Sequence, residues 1–386
     1  MTSTVVSESE LRSGVRELVV RFPDAYWRSL DRDDGYPTEF VEALTSAGWL
    51  SALIPEQYGG AGLAVADAAV ILEEINRSGG NAGACHAQMY IMGTLLRHGN
   101  EEQRRRYLPE LAAGRLRLQA FGITEPNAGL DTSRIQTRAR LESDRYVISG
   151  QKIWTSRAQH SDLMLLLART SDPVDGAPRW HGLSMFLVDL RAASPEQLEI
   201  VPIETMVNHA TTELFMRDLA VPRENLIGQE GLGFRYVLDG MNAERILIAA
   251  ECVGDGRWFV DRATRYARDR VVFDRPIGQN QGVAFPLAWA HARIEAADLM
   301  RRRAAELFDD ERSCGPEANM AKLLAADASW TAANACLDTH GGVGFAREYD
   351  VERKFRETRL YQVAPVSTNM VLSYLAQHVL GLPRSY

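Results

Sequence analysis

RYVISGQKIWTS, residues 145–156, decides the architecture. Its β-branched and aromatic residues suit a pleated strand, and it has companions of the same texture in DLMLLLART (162–170), GLSMFLVDL (182–190) and LEIVPIE (198–204), each bounded by turn residues. A strand-rich region therefore spans residues 119–231. On its N-terminal side the texture is helical. FVEALTSAGWL (40–50) and VADAAVILEEINRSGG (65–80) repeat apolar residues at helical spacing around the break IPEQYGGAGL (54–63). After GQEGLGF (228–234) the helical period returns in YVLDGMNAERILIAAECVG (236–254) and ANMAKLLAADASWTAANACLDTH (318–340). The reading is an α+β chain with a helical domain over 1–118, a β domain over 119–231 and a helical domain over 232–386.

Composition narrows the function. The 386 residues are 46% hydrophobic and 24% charged, and 43 basic against 51 acidic side chains give a net charge of −8, which disfavours nucleic acid as a partner. No stretch has the length of apolar sequence that a bilayer span needs, and the start lacks a signal-peptide pattern, so a cytoplasmic location with no membrane association is expected. Cys85, Cys252, Cys314 and Cys336 form no CxxC pair and have no histidine at zinc spacing, which predicts reduced thiols and no metal site. Arg301, Arg302 and Arg303 read as a solvated helix face rather than a phosphate site. GGVGF (341–345) lies between helical segments and GQEGLGF in a linker, so neither is the strand-to-helix turn of a dinucleotide-binding βαβ unit. GxSxG, HExxH and GxxxxGK[ST] are absent from the sequence.

Four separated segments carry a joint resemblance. FGITEPNAGLD (121–131) is similar to a TEPxAGSD loop, GQKIWTS (150–156) to a GxKxWIT strand, and YARDRVVFDRPI (266–277) with Gln281 to YxxxRxxFGxPIxxxQ. The fourth is HGGVGF (340–345), followed by Glu348 to Arg353 and Arg356. In this order they identify the sequence as a member of the acyl-CoA dehydrogenase family. The resemblance implies an N-terminal helical domain, a central β-barrel-like domain and a C-terminal four-helix bundle, assembled as a homotetramer around FAD. It places Phe121, Ile123 and Thr124 along the flavin with Trp154, Thr155 and Ser156, and the Gly129 turn near phosphate. It assigns Arg270, Phe273 and Gln281 to the pyrophosphate and adenosine side across a subunit interface, with Asp338, Gly341, Gly342, Ser367 and Asn369 also on the cofactor. Leu130, Asp274 and Asp338 stand where relatives carry serine, glycine and glutamine. Physically, a flavin that accepts hydride at N5 needs a flat apolar neighbour and a hydroxyl or amide donor. Trp154 and Ser156, two apart on a strand, are expected to present these on one side. His340 reads as a helix-end packing residue.

The reaction implied is removal of an α-proton and a β-hydride from a thioester, which needs a poorly solvated carboxylate. Many relatives carry it in a C-terminal YEGT motif. Here that stretch is YQVAPVSTN (361–369), and no Asp or Glu follows Glu357. Gapless alignment puts Pro365 at the base position, and a one-residue slip puts Val366 there. A smaller group, resembling isovaleryl-CoA and long-chain acyl-CoA dehydrogenases, carries its base on a helix just before an arginine. MNAERILI (241–248) matches that placement, making Glu244 the expected base, with Met241, Asn242, Arg245 and Leu130 toward the substrate. Met241, Leu247 and Ile248 surround Glu244 at helical spacing. The expected substrate is an acyl-CoA and the electron acceptor an electron-transfer flavoprotein. The alternatives are an acyl group tethered to a carrier protein, a flavin oxidase, or a flavin-bearing binding protein without turnover. His86, Gln88 and Tyr90, on the helix that forms the acyl pocket in relatives, suggest a polar acyl group or else a domain interface.

Overall fold

The computed structural model describes residues 7–173, 176 and 178–384. The elements run α1 (Glu8–Val19), α2 (Asp24–Arg32), α3 (Thr38–Ser46), α4 (Val65–Arg77), α5 (Gly83–His98), α6 (Glu101–Ala112) and β1 (Leu118–Gly122). Seven strands follow: β2 (Arg138–Glu142), β3 (Arg145–Ser156), β4 (Leu163–Arg169), β5 (Leu183–Asp189), β6 (Leu198–Pro202), β7 (Thr211–Pro222) and β8 (Leu226–Ile227). Then come α7 (Gly233–Asp269), β9 (Val271–Val272), β10 (Arg275–Pro276), α8 (Gln281–Asp309), α9 (Gly315–His340), α10 (Val351–Arg359) and α11 (Thr368–His378). The described residues group into two compact units. One comprises Asp34–Leu63 and Gly83–Met241, and the other the residues up to Asp33, Ala64–Ala82 and those from Asn242 on.

In the first unit the strands pair in the order β6-β7-β3-β2-β4-β5-β8, with β1 added alongside β4. β4 and β5 are mostly apolar and buried along almost their whole length because both sheet faces are covered. The pleat divides them. Leu163, Leu165, Leu167, Met185 and Leu187 enter a core shared with Leu95 of α5 and Leu108 and Leu111 of α6. Met164, Leu166, Phe186 and Val188 enter a second core with Ile148, Leu214 and Met216. Each such side chain, fully buried, contributes about 1.5–3 kcal/mol of transfer free energy. The layering follows from period-two alternation alone.

In the second unit α8 packs along α9, whose buried Ala318, Ala321, Ala325, Ala328, Ala332 and Ala335 form a stripe of small residues that permits close approach. α4 is held electrostatically as well as by packing. Glu73 and Glu74 of α4 meet Arg12 of α1, and Glu73 also meets Arg257 of α7. Asp298 of α8 joins Arg257 and Arg301. Here an expectation is corrected: Arg301 is 1% exposed and paired inside the unit, while Arg302 and Arg303 remain outside. Two carboxylates, Asp298 and Glu73, draw Arg301 inward, and sequence spacing does not reveal them. The α4 start is capped by Asp309, whose two oxygens accept the Val65 and Ala66 N–H groups at 2.9 Å each. All four cysteines are buried free thiols. Among the described residues no helix is long and apolar enough to cross a membrane.

Candidate active site

The Phe121–Asp131 segment begins on β1 and is fixed from β3. The Ile153 N–H donates to Thr124 O at 2.9 Å. Lys152 Nζ donates to Ile123 O and to Glu125 Oε1, both at 2.9 Å, and Glu125 also accepts the Gln136 and Thr137 N–H groups at 2.7 and 2.9 Å. Burial pulls the Lys152 ammonium down to about 8 against the opposing pull of Glu125. Burial pushes the Glu125 carboxyl up, but Lys152 and the N–H donors outweigh it and leave the group lowered. Sequence reasoning gave neither residue a role. The available signal was a lysine inside an otherwise apolar strand, with an acid in the neighbouring turn.

The pairing of β3 with β7 slips between Lys152 and Thr155, and Trp154 adopts a left-handed backbone with φ 62°. Trp154 is thus a bulge residue. Its indole is 57% exposed, Ser156 is half-buried and Thr155 is buried. A non-glycine residue held left-handed costs on the order of 1–3 kcal/mol, a strain that concentrates at functional positions. Phe121, Ile123 and Thr124 are half-buried, Leu130 is exposed, and a Cβ added at Gly129 would meet nothing within 4 Å. The Phe121 ring lies 6.2 Å from Tyr90 of α5, which in turn meets His86 edge-on at 5.1 Å. Gln88 is fully buried and its amide has no hydrogen-bond partner among the described residues. Two further polar residues, not anticipated, lie in this unit: Arg157 Nη2 and His209 Nδ1 are 3.1 Å apart.

Glu244 sits on α7 at 7% exposure, next to buried Ile246, Leu247 and Ile248, with half-buried Met241 and Asn242 three and two residues before it. Arg245 Nη1 donates to Asn242 Oδ1 at 3.2 Å, and burial lowers its guanidinium while Glu244 raises it. The tail has no acid after Glu357, and Ser367 caps α11 by accepting the Met370 N–H at 3.4 Å, with Asn369 exposed in the first turn.

The remaining candidates gather where α7 and α9 end. His340, at the end of α9, stacks on Tyr266 of α7 at 4.3 Å and holds Cys336 O at 2.8 Å, the packing role expected of it. Arg270 is exposed one turn beyond Tyr266. Phe273 and Asp274 form a two-residue turn between β9 and β10, both with positive φ (51° and 60°). Aspartate tolerates that backbone better than most residues, so Asp274 fills a glycine-type position without breaking the turn. Phe273 is 92% exposed, and Gln281 starts α8 on the surface. Asp338, Gly341 and Gly342 are exposed, and Cβ atoms added at either glycine would meet nothing within 4 Å. Open backbone beside an unburied guanidinium fits the phosphate groups of a dinucleotide.

This arrangement of helices and sheet defines the acyl-CoA dehydrogenase fold. Sequence models of the acyl-CoA dehydrogenase N-terminal, middle and C-terminal domains match residues 7–115, 120–219 and 231–380. The chain belongs to the acyl-CoA dehydrogenase family, a family of flavoprotein oxidoreductases. It is 34% identical to the acyl-CoA dehydrogenase FadE12 of Mycobacterium tuberculosis over all of both chains. It is 31% identical to cyclohex-1-ene-1-carbonyl-CoA dehydrogenase of Syntrophus aciditrophicus, over 99% of this chain and 92% of that one. Among solved structures, a complex of glutaryl-coenzyme A dehydrogenase with glutaryl-CoA superposes with a TM-score of 0.90 at 29% identity, covering 100% of this chain and 98% of that one.

Proposed function

We propose that this protein is an FAD-dependent acyl-CoA dehydrogenase in which Glu244 is the base. The observation that carries the reading is a carboxylate at 7% exposure on an apolar turn of α7, in a chain whose tail has no Asp or Glu after Glu357. A base for an α-proton must be held near substrate with little water around it, and the α7 environment supplies that condition. Bound FAD supplies a hydride acceptor. Glu244 takes the α-proton of the thioester; bound FAD would accept the β-hydride, so that an α,β-unsaturated thioester forms, and an electron-transfer flavoprotein would then collect the two electrons from the flavin. Trp154 offers an apolar face and Ser156 a hydroxyl to the flavin, with Phe121, Ile123, Thr124 and Thr155 beside them. Arg270, Phe273, Gln281, Asp338, Gly341 and Gly342 serve the dinucleotide side, together with Ser367 and Asn369. Met241, Asn242, Arg245 and Leu130 position the thioester.

Two measurements test this. Flavin released by denaturation should chromatograph as FAD, and anaerobic titration with straight-chain, branched and aryl acyl-CoA thioesters should bleach its absorbance. FMN, or no bleaching by any thioester, contradicts the proposal. Bleaching confined to carrier-tethered thioesters would move the substrate to a carrier protein, and hydrogen peroxide formed in air would make the enzyme an oxidase.

A further inference from the structure

α7 and α9 run parallel in a fixed register. A Cβ on Gly256 would lie 3.6 Å from Ser329 Cα, and Tyr266 stacks on His340. Two turns before the Gly256–Ser329 pair, the same register sets Ala249 of α7 opposite Lys322 of α9. Side chains on a helix lean toward its N-terminus, so the Lys322 stem is directed toward the turn of α7 that carries Glu244 and Arg245.

Lys322 is 1% exposed. Its ammonium donates to the Val366 carbonyl at 2.7 Å, in the tail loop where other members of the family carry their base. Burial lowers the ammonium, Cys252 and Glu244 raise it, and Arg245 lowers it further. Tyr374 of α11 and Cys314 act in turn on Arg245, and Glu251 and Asp255 on Cys252. Among the charged groups of this unit, Arg245 on its own helix and Lys322 on α9 both interact with Glu244. The Arg245 side chain is directed to Asn242, whereas Lys322 joins the α7 turn to the tail loop.

We infer that Lys322 is a positioning residue for the base: its buried ammonium, anchored on the Val366 carbonyl, keeps Glu244 ionised and fixes the tail loop beside it. The inference rests on the reading of Glu244 as the base. A carboxylate stripped of water by an apolar acyl chain would take up a solvent proton and be lost as a base, and a nearby fixed cation opposes this. When Glu244 accepts the α-proton and loses its charge, the ammonium still has the Val366 oxygen and is not left bare. That second partner lets one cation serve both ionisation states.

The test is the pH profile of single-turnover flavin bleaching, using the acyl-CoA that bleaches the wild type fastest, at saturating concentration. Lys322→Gln keeps an N–H donor for Val366 O but removes the charge. Its acid limb should move up by about one pH unit, with bleaching about tenfold slower on that limb, while FAD content stays at the wild-type level. Lys322→Arg restores the charge and should return the limb to the wild-type position. An acid limb unchanged in flavin-loaded Lys322→Gln overturns the inference. So does Lys322→Arg that holds flavin but keeps the shifted limb, and so does loss of flavin in both variants, which would assign Lys322 to stability. Glu244→Gln, measured alongside, separates the two failures: if it still bleaches, the base assignment has failed rather than the role of Lys322.

Discussion

At the residue scale, Lys152 shows how a buried ion pair positions a site it does not enter. Its charge sits inside the β unit at 0% exposure, holding Ile123 O and Glu125 and with them the turn that carries Thr124. Breaking one partner of a buried pair leaves the other charged and unmatched, which typically costs about 3–5 kcal/mol. Lys152→Met should lose that much stability in urea unfolding and copurify with less flavin, because the Phe121–Glu125 segment loses its anchor. Wild-type stability with full flavin would mean that Glu125 is satisfied by the Gln136 and Thr137 N–H groups alone. The residue types in this segment were legible in the sequence as a motif. The reason for the lysine was not, because its partners are a carbonyl and a carboxylate that only the folded turn brings together.

At the scale of elements, β4 and β5 were legible because continuous apolar runs of strand length have few other homes, and α7 and α9 because helical periodicity persists through them. Conformation without a sequence signature was lost. The β3 bulge falls on a tryptophan and the β9–β10 turn on Phe273 and Asp274, all with positive φ, where a reader expects glycine or asparagine. That turn lies next to Arg270, exposed at the end of the bundle near the open backbone of Gly341 and Gly342. Arg270→Ala should fold normally but retain several-fold less FAD and, if the cofactor is shared between subunits, sediment as smaller species at low concentration. Full flavin content in an unchanged assembly would make Arg270 a solvated surface residue.

At the scale of the whole molecule, burial of charge sets the acid limit of the fold. Asp298 is 4% exposed; burial raises its carboxyl, but Arg301, Arg257 and Arg302 outweigh this and hold it at about 2, below its ordinary 3.8. A depressed carboxyl stabilises the folded state fully above its unfolded value, and the contribution is lost as pH falls from about 4 toward 2. The shift corresponds to about 2 kcal/mol, so the stability gap between wild type and Asp298→Asn should shrink by roughly that amount between pH 6 and pH 2. Equal gaps at both pH values would show that the Asp298 carboxyl titrates alike in the folded and the unfolded chain. The catalytic account has a sharper test in Glu244→Gln, which keeps the side chain's shape but cannot accept a proton. Loss of a general base costs about 10²- to 10⁴-fold, and with no acid in the tail the loss should lie at the upper end. The measurement is single-turnover flavin bleaching by a good acyl-CoA, together with exchange of its α-proton into deuterated water. The account predicts FAD-loaded protein with both rates lost; bleaching within a fewfold of wild type would contradict it.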